Sequence, residues 1–287
     1  EAAGHQWRNR AVVGGGGESA MIALRAHLIA GDPPPAAAQI KGPDIQEWAE
    51  RGLLTNLDAI ATAEHWDRLL PAEIARLMRY DGHYVAVPLN IHRVNWLWVN
   101  PAIFQKAGAE IPTTWADFER AARKIQQAGF IPVAQGGQPW QEATLFESVV
   151  LGVGGAAFYR KAFVDLDLAA LASPTMAQAF ATLRTVKQYT DPAAPGRDWN
   201  RATDLVIQGQ AAMQFMGDWA KGEFAVAGRV PDRDYRCVPA PGTQGTFSYN
   251  VDSFVMFQVE DPEVQAAQTE LAHIVMDPEF QERFNLK

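Results

Sequence analysis

The segment from Tyr80 to Pro101, YDGHYVAVPLNIHRVNWLWVNP, constrains the fold of this chain more than any other. Asp81-Gly82 is a two-residue turn dipeptide, and His83 to Pro88 carries the β-branched and aromatic residues of a strand, so a tight hairpin is expected. Pro88 has no N–H to give a central ladder, which predicts that the first strand ends there. A second apolar run, Ile91 to Val99 with Trp96 and Trp98, opens on two polar residues, His92 and Arg93. Such a run describes either a strand of a single domain or a segment that leaves one globular body, crosses a wet cleft and enters a second core. Asn100-Pro101 supplies an N-cap and a first-turn proline, so a helix starts on the far side.

The second possibility agrees with size, because 287 residues exceed what one hydrophobic core usually organises. Helices alternate with short apolar strands along the chain, which predicts an α/β fold with a mostly parallel sheet. Strands are expected at Ala36 to Ile40, Ile131 to Ala134, Ala211 to Met216 and Asp252 to Val259. Helices are expected at Asp44 to Glu50, Pro71 to Arg79, Gln141 to Leu151, Trp199 to Gln208 and Pro262 to Met276. Thr114 to Asp117 resembles a capping box, and Ser173-Pro174 caps a helix reaching Tyr189. Val12-Val13, Gly14 to Gly17 and Ser19 to Ile29 read as strand, glycine turn and helix; the Lys-Ser/Thr pair of a phosphate loop is missing after Gly17, so the glycines are structural. The Ala193 to Asp198 and Pro239 to Thr246 loops have the composition of junctions between lobes.

A net charge of −8 without a Lys/Arg cluster argues against nucleic acid as a partner. The single cysteine, Cys237, excludes an internal disulfide and a cysteine-based metal site. The six histidines show no HExxH or comparable spacing, and no apolar run is long enough to span a bilayer. Pro278 to Leu286 reads as a helix without a closing element after it, and the chain is expected to be truncated at both ends.

Ligands of open parallel sheets sit beyond the carboxyl ends of strands, which singles out Gln39 and Lys41, Trp219, and Asn250 with Asp252. Asn250 and Asp252, two apart in an extended segment, share a face and can bind adjacent hydroxyls, the carboxylate accepting and the amide donating and accepting. Lys41 adds charge-assisted donors, and Trp219 offers a flat apolar wall to the C–H face of a pyranose. These are the groups a sugar requires. Taken singly, Trp219 also reads as a core tryptophan at a strand-helix corner, and Asp252 as a strand-entry cap. Asp218 with Asp252 is the carboxylate pair a glycosidase would need, though nothing in the spacing pairs them. The serines lack a Gly-x-Ser-x-Gly elbow and an evident base.

Six segments resemble the solute-binding proteins of sugar ABC importers, specifically their glucose-binding branch. They are AAAQIKGPDIQEW from Ala36, the Tyr80 to Pro101 segment, PTTWADF from Pro112, GGQPWQEATLFE from Gly136, QGQAAMQFMGDWAKGEF from Gln208 and PAPGTQGTFSYNVDSFVMF from Pro239. The resemblance implies a two-lobed periplasmic binding protein-like fold that closes on a monosaccharide, D-glucose foremost, and docks with the permease subunits of an ABC importer. It implies a periplasmic monomer with no cofactor and no catalytic role. Lobe 1 would comprise residues 1–91 and 250–287 and lobe 2 residues 94–248, with His92/Arg93 and Phe247 to Tyr249 in the hinge strands. By the same resemblance the sugar contacts fall on Gln39, Lys41, Trp219, Asn250 and Asp252, with Trp140 and His92 bordering the cleft. Further contacts, a Trp-Trp segment before Glu1 and a Lys-Gly-Ser segment at or beyond Lys287, are implied to lie outside the chain. The competing reading from another class is a carbohydrate-active hydrolase using Asp218 and Asp252; a sugar sensor without transport is a third.

Overall fold

A computed structural model of the chain describes residue 8 and residues 18–285, so the strand and glycine turn expected at Val12 to Gly17 lie outside the described residues. In chain order its strands are β1 (Ala36–Ile40), β2 (Arg79–Tyr80), β3 (His83–Tyr84), β4 (Ala86–Arg93), β5 (Trp96–Val99), β6 (Ile131–Val133), β7 (Ala211–Phe215), β8 (Arg236–Pro239) and β9 (Tyr249–Met256). Helices separate most of them. The backbone divides into two units, the first comprising the chain through Ile91 together with Asn250 onward, the second His92–Tyr249. The chain passes from the first to the second inside β4 and returns inside β9.

In the first unit the sheet order is β1-β9-β4, with β1 antiparallel to β9. Its core gathers Ile40, Ile45, Trp48, Trp66, Met78, Val255 and Phe257, all nearly inaccessible to solvent. Buried Gln268 on the helix Pro262–Met276 donates from Nε2 to the carbonyls of Pro35 and Phe257, both at 2.7 Å, and so pins the incoming end of β1 to the outgoing end of β9. The Asp81-Gly82 turn forms as expected, pairing β2 with β3 antiparallel. Both turn residues have positive φ, +49° and +85°, the geometry that matches the twist of the flanking strands. The strand expected to stop at Pro88 instead runs through it to Arg93. Among the described residues β4 is an outer strand of its sheet, where a proline has no ladder bond to break.

The second unit has sheet order β6-β7-β5-β8. β6 and β7 are parallel, whereas β5 runs antiparallel to both β7 and β8. This sheet is therefore mixed, and the expected mostly parallel arrangement does not hold. β6, β7 and β8 point one way, and β5, which follows β4 without an intervening helix, enters between them in the opposite sense. Its alternation serves two cores: Leu97 and Val99 join Phe118, Leu145, Met213 and Phe215, while Trp98 joins Phe224, Tyr235 and Met216. The indole of Trp98 donates to Met216 O at 2.9 Å, which satisfies the polar atom of an otherwise apolar plate.

Asn95, fully buried, organises the segment before β5. Its Nδ2 donates to Thr243 Oγ1 at 2.9 Å and Thr246 O at 3.1 Å, its Oδ1 accepts from Ser248 N at 3.0 Å and Arg93 Nε at 3.2 Å, and its backbone carbonyl accepts from Ala240 N at 3.0 Å. The Pro239 to Thr246 loop, with the composition of a lobe junction, thus lies within the second unit, as does Ala193 to Asp198.

Three helix starts follow their side chains. Asn100 Oδ1 accepts from Ile103 N, Thr114 and Asp117 form a complete capping box, and Ser173 Oγ accepts from Met176 N. The helix expected to end at Leu151 continues from Pro139 to Tyr159, broken only at Gly155. Gly152 lies on it where a side chain has no room, since an added Cβ would sit 2.2 Å from Pro241 O and 2.6 Å from Trp115 Nε1. Gly242, at φ +76°, meets Gly152 from the other side. Close backbone contact of this kind requires glycine.

Gly152→Ala should lower the thermal midpoint, at a cost of about 2 kcal/mol for the overpacking; an unchanged denaturant midpoint would show that the helix and the turn are not in contact. A second outcome concerns Glu147, which accepts from Tyr159 Oη at 3.1 Å and whose burial raises its carboxyl above the ordinary glutamate value. The native state then holds a proton that the unfolded chain has released, so stability falls as pH rises from the ordinary value towards the native one. Glu147→Gln, measured by thermal melts, should be more stable than the parent at pH 7 and lose that advantage near pH 4.

Candidate functional site

The first unit collects one polar set. Between Ala37 and Ile40, β1 uses three steps where β9 uses two, Val255 to Ser253, so β1 carries a bulge. Gln39 sits in this bulge at φ +62°, exposed, and the chain then turns at Lys41 into the helix Gly42–Glu50. Lys41 Nζ forms an ion pair with Asp252 Oδ1 and approaches Gln39 O at 3.4 Å. Asp252 is 6% exposed while the lysine side chain remains partly open, so the pair is rooted in the protein on its acidic side. An ion-pair partner stabilises a carboxylate this buried, so removing the lysine would be destabilising. Asn250 stands two residues earlier on the same strand and the same face. Its Oδ1 is buried without a hydrogen-bond partner, an acceptor that a hydroxyl donor would satisfy.

The second unit collects an aromatic set at the end of β7. Met216-Gly217-Asp218-Trp219 leads from that strand into the helix Ala220–Val226. Trp219 is half-buried and lies against Gly217, where a Cβ would stand 2.1 Å from Cζ3 of the indole. His92 meets the same indole edge-on, with ring centroids 5.3 Å apart and planes at 88°. Trp140 closes the group at 6.2 Å from Trp219, its Nε1 donating to Gln138 Oε1 at 2.8 Å. Gln138 Nε2 in turn donates to Asp198 Oδ1 at 2.8 Å, so Trp140 is held from behind.

Asp218 binds His92 and Arg93 together. His92 Nδ1 donates to Oδ1 at 2.5 Å, Arg93 N donates to Oδ2 at 2.8 Å, and Asp218 N donates to Arg93 O at 3.0 Å. The Arg93 guanidinium lies over the Trp96 ring at 3.7 Å from its centroid and donates to Thr246 O at 3.1 Å. Desolvation lowers the Arg93 pKa, and burial pushes the thiol of nearby Cys237 up to about 12.

Three residues hold these groups without having that role in the sequence reading, where Asp218 is named only as one carboxylate of a glycosidase pair. Gly217 makes room for the indole, Gln138 holds Trp140, and Asp218 orients His92. The Gly-Asp-Trp tripeptide after a buried strand was the available signal, since a glycine two residues before a large aromatic ring is a natural place for the ring to rest. The polar set presents a carboxylate, an ammonium and two amides, which suits hydroxyl recognition. The aromatic set presents fixed, partly open indole surface, which suits the apolar face of a ring.

The chain matches the model of the bacterial extracellular solute-binding proteins over residues 9–268. It is 47% identical over 286 residues to a probable sugar-binding periplasmic protein of Brucella melitensis, a match that covers 100% of this chain and 67% of the relative. It is 46% identical over 286 residues to a protein of the same description from Rhizobium meliloti, covering 100% of this chain and 68% of the relative. Among solved structures, the Listeria monocytogenes ABC substrate-binding protein Lmo0181, in complex with cycloalternan, superposes with a TM-score of 0.73 at 23% identity, over 92% of this chain and 66% of that one. The chain thus spans about two thirds of the length of each of these proteins. On these matches the chain belongs to the bacterial extracellular solute-binding protein family.

Proposed function

We propose that the protein is a periplasmic receptor that captures a monosaccharide, with D-glucose as the preferred ligand, and delivers it to the permease subunits of an ABC importer. The observation that carries this reading is the Trp219 indole, partly open and fixed by Gly217 and His92 before any ligand arrives. A prepositioned flat apolar surface favours a pyranose ring because little order remains to be imposed on binding. The polar set adds the complementary chemistry. Asp252 and Lys41 offer an acceptor and a donor to ring hydroxyls, and Asn250 Oδ1 is a buried acceptor awaiting one. Gln39, exposed in its bulge, is a further amide for the same purpose. The names of the Brucella and Rhizobium relatives support a sugar as the ligand class. The choice of glucose rests on the resemblance of the six segments to the glucose-binding branch.

The hydrolase reading is not favoured. Asp218 accepts from His92 through one carboxylate oxygen and from the Arg93 amide through the other, and Asp252 is bound to Lys41, so both carboxylates already serve structural partners. A glycosidase requires one carboxyl to give its proton to the leaving group and the other to act at the sugar carbon.

The test is a thermal-shift panel of aldohexoses and pentoses followed by calorimetry. A ligand that binds only the folded protein raises the midpoint, and D-glucose should give the largest rise. Asp252→Asn should weaken glucose binding roughly 10- to 100-fold, the loss expected when a charged hydrogen bond to a hydroxyl becomes a neutral one. Trp219→Ala should weaken it about tenfold or more through lost ring contact. No shift with any sugar, or parent-like affinity in both variants, would overturn the reading.

A further inference from the structure

We propose that Asp218 is a positioning residue of the sugar site: it acts through His92 to fix the plane of the Trp219 indole, without touching the ligand. The inference rests on the receptor reading above. Three observations in the second unit support it. The carboxylate holds a side chain and a main-chain amide at once, His92 Nδ1 at 2.5 Å and Arg93 N at 2.8 Å, while its own amide returns a bond to Arg93 O at 3.0 Å. A residue tied at three points has little freedom to swing. His92 then stands perpendicular to Trp219, with ring planes at 88° and centroids 5.3 Å apart, the T-shaped arrangement that aromatic pairs prefer. Finally, Gly217 lies against the six-membered ring of the indole, where any Cβ would collide with it. The indole is thus held by its contacts with Gly217 and His92, and the histidine is bound by the residue that precedes the tryptophan.

The consequence is a division of labour inside Gly217-Asp218-Trp219. The first residue makes room, the second holds the strand that supplies His92, and the third presents its surface. Deleting the carboxylate removes one of the bonds that hold the imidazole against the indole. The indole keeps its place in the chain but loses its fixed plane.

The experiment uses the full chain labelled with 5-fluorotryptophan, whose nine tryptophans give nine fluorine lines, with the Trp219 line assigned by its absence in Trp219→Phe. In Asp218→Ala the Trp219 line should shift or broaden while lines remote from it stay in place, and the Kd for D-glucose should rise roughly tenfold, as for one misaligned contact. Asp218→Asn should restore both readouts, because its Oδ1 can accept from Arg93 N and its Nδ2 can donate to the imidazole. In His92→Phe, which keeps an aromatic edge without needing a partner, adding Asp218→Ala should weaken glucose binding no further. Should Asp218→Ala fail to fold, Asp218→Ser replaces it with the same expectations. An unmoved Trp219 line, a moved line with unchanged Kd, or an undiminished effect of Asp218→Ala in the His92→Phe background each overturns the proposal. If the parent binds no sugar, the receptor reading falls and takes with it the claim about affinity, while the fluorine line alone decides whether Asp218 orients the indole.

Discussion

The amide of Asn95 is the point on which the second unit turns. It is wholly enclosed and every one of its polar atoms has work: two donors reach Thr243 and Thr246, and the acceptor receives Ser248 and Arg93. Burying an amide without partners would cost several kcal/mol, so a satisfied one acts as a demanding lock, tolerating only the backbone path that fulfils it. The path it selects brings the segment entering the unit beside the one leaving it, as Val94 N also donates to Ser248 O at 2.8 Å. β5 then starts in a fixed register, and both cores flanking it follow from that start.

The functional groups inherit their order from the same frame. Arg93 donates to Asn95, lies over Trp96 and holds Asp218 through its main chain, so the lock and the aromatic set share a residue. In the first unit the corresponding role falls to Gln268, which ties the start of β1 to the end of β9, the strand that carries Asp252. Each unit thus uses a buried amide to hold backbone and leaves charge and aromatic surface nearer to solvent. That is a sensible partition, because a neutral amide satisfied by carbonyls costs less to enclose than an ion.

Local chemistry was readable from the residues. Asp81-Gly82 announced its turn through the positive φ it tolerates, and Asn100, Thr114 and Ser173 announced helix starts through their capping oxygens. What depended on distant strands was not. Pro88 looks like a terminator until its strand is known to be an outer one, and β5 looks parallel until the chain is seen to enter without a crossover helix. The helix expected to end at Leu151 runs on to Tyr159, and its Gly152 admits the Pro241 turn, a contact 89 positions away that no local pattern encodes. The short helices Asp58–Ala63 and Trp66–Leu69 are too brief to show a period. Among the site residues, the type of side chain marked Asp252, Lys41 and Trp219. The bond from His92 to Asp218 spans 126 positions, and no local pattern encodes such a pairing.

Cys237 sits in β8 with its thiol pushed up to about 12, chiefly by burial, and the chain has no second cysteine to join it. The reactive species of a thiol is its anion, which at neutral pH is then a vanishing fraction. In a family that operates outside the cytoplasm, where oxidants link stray cysteines between molecules, this thiol is shielded by its own acidity constant. Burial in the sheet thus makes Cys237 a poor nucleophile and weakens its tendency to form covalent dimers.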